Sequence, residues 1–152
     1  MSFLAPFLSQ ERTLNKAVLK SQKRIFEVLS NLLHCDDGSI SRDIIYQQLF
    51  NRERIGSTAV GKGIVIPHCR VDNLSITQLS ILTLYESIPY DNSVEPVDIF
   101  IAIIFPQNIK DIHIKFMSKL VEFIKSDGTI DKIRQSSSNE DLYNVFVHPN
   151  NV

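Results

Sequence analysis

Residues 97–105, VDIFIAIIF, are the stretch that decides the fold. Asp98 is the only polar side chain in this run, and nearly all of the others are β-branched or aromatic. A continuous apolar run of this length is typical of a strand whose two faces are both covered, since alternation with polar residues is needed only where one face meets water. We therefore predict a central buried strand that ends at Pro106.

A second strand and several helices surround this run in the sequence. Residues 79–84 alternate in the manner of a strand, and residues 89–96 form a turn region. Apolar residues recur at helical spacing before and after the strands. They are Ile25, Phe26, Leu29, Leu32 and Leu33, then Ile44, Ile45 and Leu49, then Ile114, Met117, Leu120, Val121 and Ile124, then Ile130 and Ile133, and last Leu142, Val145 and Phe146. Ser41 and Thr129 are candidate N-caps, and residues 36–38 and Gly128 are candidate helix stops. Helices, then strands, then helices predict a single α/β domain with the sheet between helices.

Bulk properties exclude several classes of protein. The chain has 152 residues and a formal net charge of −1, and no block of Lys or Arg follows any segment, so we expect no nucleic-acid partner. No apolar run approaches the roughly 20 residues that span a bilayer, and residues 1–10 lack the features of a secretory signal. The two cysteines, Cys35 and Cys69, have no paired spacing. We expect a cytoplasmic protein without membrane insertion.

Residues 56–70, GSTAVGKGIVIPHCR, concentrate the residues that could carry chemistry. Their first seven residues match the opening of a nucleotide-binding P-loop. Gly63, however, stands where the Mg²⁺-binding Ser or Thr belongs. A helix also precedes this loop and a strand follows it, whereas a P-loop runs from strand to helix. We reject the P-loop interpretation.

His68 in this segment is a candidate nucleophile. A neutral imidazole can attack phosphorus and hold the group as a labile phosphoramidate, and its ordinary pKa near 6.5 leaves much of it unprotonated at cellular pH. A phosphoryl group in transit needs fixed hydrogen-bond donors. The local supply is Arg52, Ser57, Thr58, the backbone of residues 61–63 and Arg70. His113 can join them only through folding.

Other interpretations of the histidines stay open at this point. His68 could be an ordinary turn residue, since Gly, Ser and Thr also suit turns. His34 and His148 stand at predicted helix ends without a polar cluster around them. The candidate ligands of a metal site are Cys35, His68, Cys69 and His113. No two of them have the spacing of a zinc site, so we expect no metal and no cofactor.

Three motifs stand close together in the sequence: Arg52-Glu53, residues 56–58 and the run GKGIVIPH at residues 61–68. Together they resemble the active-site signature of the fructose/mannitol class of IIA domains in the phosphoenolpyruvate phosphotransferase system, and more narrowly of its nitrogen-related branch. Weaker matches fall in the right order along nearly the whole chain. They are residues 9–12, 21–24, 95–98, 112–114 and 139–143.

The resemblance implies a fold and a set of roles. The fold is a single domain at residues 1–152, with a core at about 9–147 and a mixed β-sheet flanked by helices on both faces. His68 would be the phosphoryl acceptor, Arg52 would steady the phosphate, and His113 would face it. Ser57, Thr58 and Gly63 would form the phosphate-binding pocket. The implied donor is an HPr-like phosphocarrier, fed by an enzyme I, and the implied role is regulatory.

One departure and three rival functions accompany the resemblance. Cys69 stands where relatives usually have Gly or Ala, which allows either simple packing or a redox-sensitive site. Residues 89–93 also differ from the nitrogen-type pattern. The rivals are a sugar-specific IIA transport component, a binding-only regulator without phosphoryl turnover, and a metal-binding regulator.

Overall fold

The computed structural model describes residues 1–34, 39–91, 93–108 and 112–151. Its strands are β1 (Thr13–Ala17), β2 (Ala59–Gly61), β3 (Ile64–Val65), β4 (His68–Val71), β5 (Gln78–Ile88) and β6 (Val97–Pro106). Its α-helices are α1 (Gln22–Leu33), α2 (Arg42–Ile55), α3 (Ile112–Ile124), α4 (Thr129–Gln135) and α5 (Asn139–Val147). Short 3₁₀ helices lie at Ala5–Phe7, Gln10–Arg12 and Pro149–Asn151.

The strands form one mixed sheet in the order β1-β5-β6-β3-β2, and β4 pairs with β6 beyond the end of β3. Strands β5 and β6 are antiparallel, whereas β1 runs parallel to β5, and both β3 and β4 run parallel to β6. The predicted central strand is confirmed, because β6 is buried along almost its whole length.

Strand β6 feeds two hydrophobic cores, one on each face of the sheet. Ile99 and Ile101 pack with α3, α4, α5 and the N-terminal segment. Phe100 and Ala102 point to the other face, where they pack with α1 and α2. Alternate residues of a strand face opposite sides, so a run that is apolar at every position requires cover on both. The predicted α/β fold with helices on both faces is confirmed.

Three strands were absent from the sequence prediction. Strand β1, TLNKA, has no apolar alternation, and it is held by pairing with β5 rather than by propensity. Strands β2 and β4 lie within the Gly-rich segment, which the prediction treated as a loop and one short strand. The predicted strand end at Pro67 is correct for β3, but pairing with β6 resumes at His68.

Caps set the starts of the long helices. Ser21 and Ser41 each accept a hydrogen bond from the backbone three residues on, as an N-cap does. The prediction of Thr129 as a cap is wrong, because Gly128 holds the N-cap position and Thr129 begins α4. The helix stop at residues 36–38 and Cys35 lie outside the described residues. Within the described residues, no helix combines the length and apolar character that a membrane span requires.

Candidate functional site

An open cavity of about 610 Å³ lies where α2, β4, the end of β6 and the start of α3 meet. Its described lining residues are Gln48, Asn51, Arg52, Ile55, His68, Cys69, Arg70, Phe105, Gln107 and His113. The structure thus brings His68, Arg52 and His113 together from three separate elements. Among these described residues there are two guanidinium groups and no carboxylate, so the lining favours an anion.

His68 is fixed by its own neighbourhood in the chain. Its Nδ1 lies 2.6 Å from the carbonyl oxygen of Ile66. A carbonyl oxygen can only accept a hydrogen bond, so Nδ1 carries the proton in the neutral ring. The lone pair is then on Nε2, and the half-buried ring lines the cavity. The geometry prepares Nε2, rather than Nδ1, as the nucleophile.

The surroundings of His68 also favour its neutral form. Burial is the main cause that lowers the pKa of His68 below its usual 6.5, and the Arg52 guanidinium and His113 lower it further. The hydrogen bond to Ile66 and the charge of Glu53 act in the opposite direction without reversing the shift. At neutral pH the ring is therefore unprotonated on one nitrogen, as a nucleophile must be.

His113 is oriented by Arg70. Nη2 of Arg70 donates a hydrogen bond to Nδ1 of His113 over 2.7 Å. A guanidinium cannot accept, so Nδ1 of His113 is the acceptor and the neutral ring carries its proton on Nε2. Phe105 packs its ring against His113 in an edge arrangement, with centroids 5.7 Å apart. The N–H on Nε2 of His113 is therefore able to donate a hydrogen bond to a phosphoryl oxygen.

Arg52 lies on the last turn of α2 and is half-buried. Its Nη1 donates to the carbonyl oxygen of Gly56 over 2.8 Å, which closes the end of the helix. The same guanidinium acts electrostatically on His68, so its charge reaches the nucleophile. Arg52 can therefore serve as a charged partner for a transferred group at Nε2.

Ser57, Thr58 and Gly63 are not among the described residues that line this cavity. Ser57 lines a neighbouring depression on the other side of the end of α2. Thr58 is buried, and both its backbone N–H and its hydroxyl donate to Glu53, over 2.7 and 2.6 Å. Gly63 lies at the far end of β3, beside Arg134 and Asp98. The structure therefore does not bring these three predicted phosphate-binding residues together with His68.

Cys69 lines the cavity next to His68, and burial raises its pKa to about 12. The reactive form of a cysteine is the thiolate, which is disfavoured at such a pKa. The packing interpretation of Cys69 is thereby favoured over the redox one. Within the described residues, no group of three or more His, Cys, Asp or Glu side chains could hold a metal ion.

Sequence reasoning missed two features of the site. One is Glu53, whose buried carboxylate holds Thr58 behind the histidine. The other is the bond between Arg70 and His113, which are 43 positions apart and meet only because α3 follows β6. The Arg-Glu pair at residues 52–53 was the available signal for Glu53. No local pattern signals the second contact.

Comparison with protein families gives one match across most of the chain. Residues 6–148 match the family model described as "Phosphoenolpyruvate-dependent sugar phosphotransferase system, EIIA 2". The chain belongs to this family. The predicted resemblance to the type-2 EIIA domains of this phosphotransferase system is confirmed.

Several individual proteins are similar to this EIIA domain over most of its length. It is 27% identical to a nitrogen regulatory protein of Pseudomonas aeruginosa over 149 residues, which cover 97% of each chain. It is 28% identical over 131 residues to the mannitol-specific phosphotransferase enzyme IIA component of Staphylococcus aureus, with 84% of this chain and 86% of that one covered. The crystal structure of nitrogen regulatory protein IIA-Ntr from Neisseria meningitidis superposes with a TM-score of 0.87 at 25% identity, covering 95% of this chain and 99% of that one.

Proposed function

We propose that this EIIA domain is a phosphohistidine carrier that accepts a phosphoryl group on Nε2 of His68 and acts as a regulatory protein according to its phosphorylation state. The observation that carries the proposal is the hydrogen bond from Nδ1 of His68 to Ile66, because it leaves the lone pair on Nε2. The names of its relatives support a nitrogen-related regulatory role.

The transfer step needs no general base. The Nε2 lone pair forms a bond to phosphorus while the donor's P–N bond breaks, and that electron pair returns to the donor's ring nitrogen. Nδ1 keeps its proton and its bond to Ile66 throughout. The three equatorial oxygens carry the charge in transit, and catalysis of this kind rests on positioning and electrostatics. Arg52 and the N–H of His113 are the donors for those oxygens.

The donor in this proposal is an HPr-like phosphocarrier protein in the cytoplasm. Two exposed apolar side chains support a protein partner rather than a small molecule. Ile55, 85% exposed, lines the cavity, and Ile114, 59% exposed, follows His113 in the chain. Apolar area beside a charged centre suits a protein surface that must dock before transfer. A phosphoryl group at His68 would then change the charge of this face and so the choice of regulated partners.

Transfer of labelled phosphate from phosphoenolpyruvate through enzyme I and an HPr-like carrier tests the proposal. We expect label on the wild-type chain and none on His68→Ala. His34→Ala and His148→Ala are matched controls, since both histidines lie outside the cavity, and both should label normally. Label that persists in His68→Ala would end the assignment, and an unlabelled wild type would indicate a binding-only regulator.

A sugar-specific transport component is the second candidate, because a mannitol-specific IIA component is among the relatives. The two functions differ in where the phosphate goes. The labelled protein is incubated with membranes that contain a fructose- or mannitol-type permease and with the sugar. A regulatory carrier keeps its label under these conditions, whereas a transport component discharges it onto the sugar.

A further inference from the structure

A buried carboxylate lies behind the nucleophile, on the face of α2 that points into the protein. Glu53 is only 8% exposed. Its Oε2 accepts from the backbone N–H of Thr58 over 2.7 Å, and its Oε1 accepts from the Thr58 hydroxyl over 2.6 Å. Burial and the charge of Glu53 raise the pKa of Tyr90, whose hydroxyl lies on the same side of α2. Burying a carboxylate is costly unless it is hydrogen-bonded, and here Thr58 supplies one donor to each of its two oxygens.

This carboxylate is linked to the nucleophile by hydrogen bonds in series. Thr58, which Glu53 clamps at two atoms, accepts through its carbonyl oxygen from the backbone N–H of Ile66 over 3.0 Å. Ile66 in turn accepts through its own carbonyl oxygen from Nδ1 of His68 over 2.6 Å. The bond that selects Nε2 as the nucleophile therefore ends a chain that begins at Glu53.

We propose that Glu53 is a positioning residue for phosphoryl transfer, which orients the His68 ring through Thr58 and Ile66 and places a negative charge behind it. The inference rests on the proposed function of His68. Glu53 does not line the cavity, so its action is indirect. At metal sites, the loss of a partner that fixes the tautomer and direction of an imidazole typically costs about 10- to 100-fold in activity, and we expect a loss of that order here.

The charge of Glu53 has a second effect that a purely structural contact would lack. It raises the pKa of His68, against the lowering by burial, Arg52 and His113. Among the described lining residues, Cys69 and Arg70 are the other ionisable groups beside the ring. When Nε2 gains a phosphoryl group while Nδ1 keeps its proton, the ring becomes cationic. A carboxylate behind the ring stabilises that charge.

Three variants separate these effects. Glu53→Gln keeps the shape but removes the charge and one acceptor oxygen. Thr58→Val removes the hydroxyl donor and keeps the charge, whereas Thr58→Ser keeps both. Glu27→Gln, at an exposed position on α1, is the matched control for loss of a glutamate charge. Circular dichroism and thermal unfolding establish that each variant is folded before it is assayed.

Two readouts are taken, the rate of phosphoryl transfer from an HPr-like donor and the NMR titration of His68 in the unphosphorylated protein. We expect Glu53→Gln to slow transfer about 10- to 100-fold and to lower the pKa of His68. We expect Thr58→Val to slow transfer with a smaller change in that pKa. Thr58→Ser and Glu27→Gln should match the wild type.

A transfer rate and a His68 titration that are both unchanged in Glu53→Gln would overturn the proposal. So would a Thr58→Val variant that matches Thr58→Ser, and this comparison decides the matter if Glu53→Gln does not fold. The titration uses protein without phosphate, so it still tests the link between Glu53 and His68 if the wild type accepts no label. In that case the proposed function fails separately.

Discussion

Substitution of Gly63 by alanine should destabilise the fold and leave phosphoryl transfer intact. Gly63 was predicted to belong to the phosphate pocket, but it lies at the far end of β3 from His68 and has φ +82°. An added Cβ would stand 2.6 Å from Nη2 of Arg134 and 2.9 Å from Oδ1 of Asp98. These two side chains form a bidentate ion pair with N···O distances of 2.8 and 2.9 Å.

The loss of unfolding free energy in Gly63→Ala has two contributions. A left-handed conformation costs an L-residue about 1–2 kcal/mol. The two nearest atoms are ends of side chains, so they can move, and the main cost is the loss of their contacts. The third neighbour, the backbone oxygen of Pro96 at 3.3 Å, is only slightly crowded. The pair is partly exposed, at 41% for Arg134 and 21% for Asp98, which limits its worth to about 1 kcal/mol. The total is about 2–3 kcal/mol, or a melting temperature lower by about 5–10 °C for a chain of this size.

Urea unfolding followed by circular dichroism measures the loss, and labelling of His68 is measured well below the melting temperature. Gly61→Ala is the matched control, because Gly61 has φ +92° but no atom within 4 Å of an added Cβ. It should cost only the conformational part, about 1–2 kcal/mol. The difference between the two variants should shrink in an Arg134→Ala background.

Equal destabilisation by Gly63→Ala and Gly61→Ala would refute the reasoning from the ion pair. Loss of labelling in a folded Gly63→Ala protein would refute the assignment of Gly63 to the scaffold. Such a loss would instead support the predicted role of Gly63 in phosphate binding.

Three further predictions concern the cavity. Arg52→Ala and His113→Ala should each slow labelling by about 100-fold without removing the acceptor, because each removes one charge-stabilising donor. Complete loss of labelling in both variants, or an unchanged labelling rate in both, would contradict these roles. Hydrogen peroxide should leave the labelling rate of the wild type equal to that of Cys69→Ser, because burial raises the pKa of Cys69 to about 12 and the thiol stays protonated. The pKa of His68 is lowered by burial, so the unfolded chain binds a proton more readily than the folded one. The free energy of unfolding should therefore fall as pH drops below about 6.5, and His68→Asn should remove that part of the dependence.

Prediction from the sequence was most successful for an element whose residues all lie in the same environment. Strand β6 is apolar at every core position, so its burial on both faces could be predicted without knowledge of its neighbours. Strand β1 was missed because Thr13–Ala17 has no such pattern. Its place in the sheet depends on pairing with β5, and on bonds such as that from the backbone N–H of Lys16 to the Thr83 hydroxyl.

In the site too, features that depend on nearby residues were predicted, whereas features that depend on long-range contacts were not. His68 and Arg52 lie near each other in the sequence, and the residue types of that segment pointed to phosphoryl chemistry. The tautomer of His113 depends on Arg70, which reaches it across 43 positions, so only the packing of α3 against the sheet reveals it. Thr58 was predicted as a phosphate ligand because hydroxyls bind phosphate, but the buried carboxylate of Glu53 takes its hydroxyl instead.

The ring nitrogen that bears the phosphoryl group is the measurement that tests the central claim most directly. The protein is labelled with ¹⁵N, phosphorylated by an HPr-like donor, and the phosphorus–nitrogen coupling is read in the imidazole of His68. Nδ1 is held by the carbonyl oxygen of Ile66, so phosphorus should couple to Nε2 alone. Coupling to Nδ1, or a phosphoryl group on any other residue, would contradict the account.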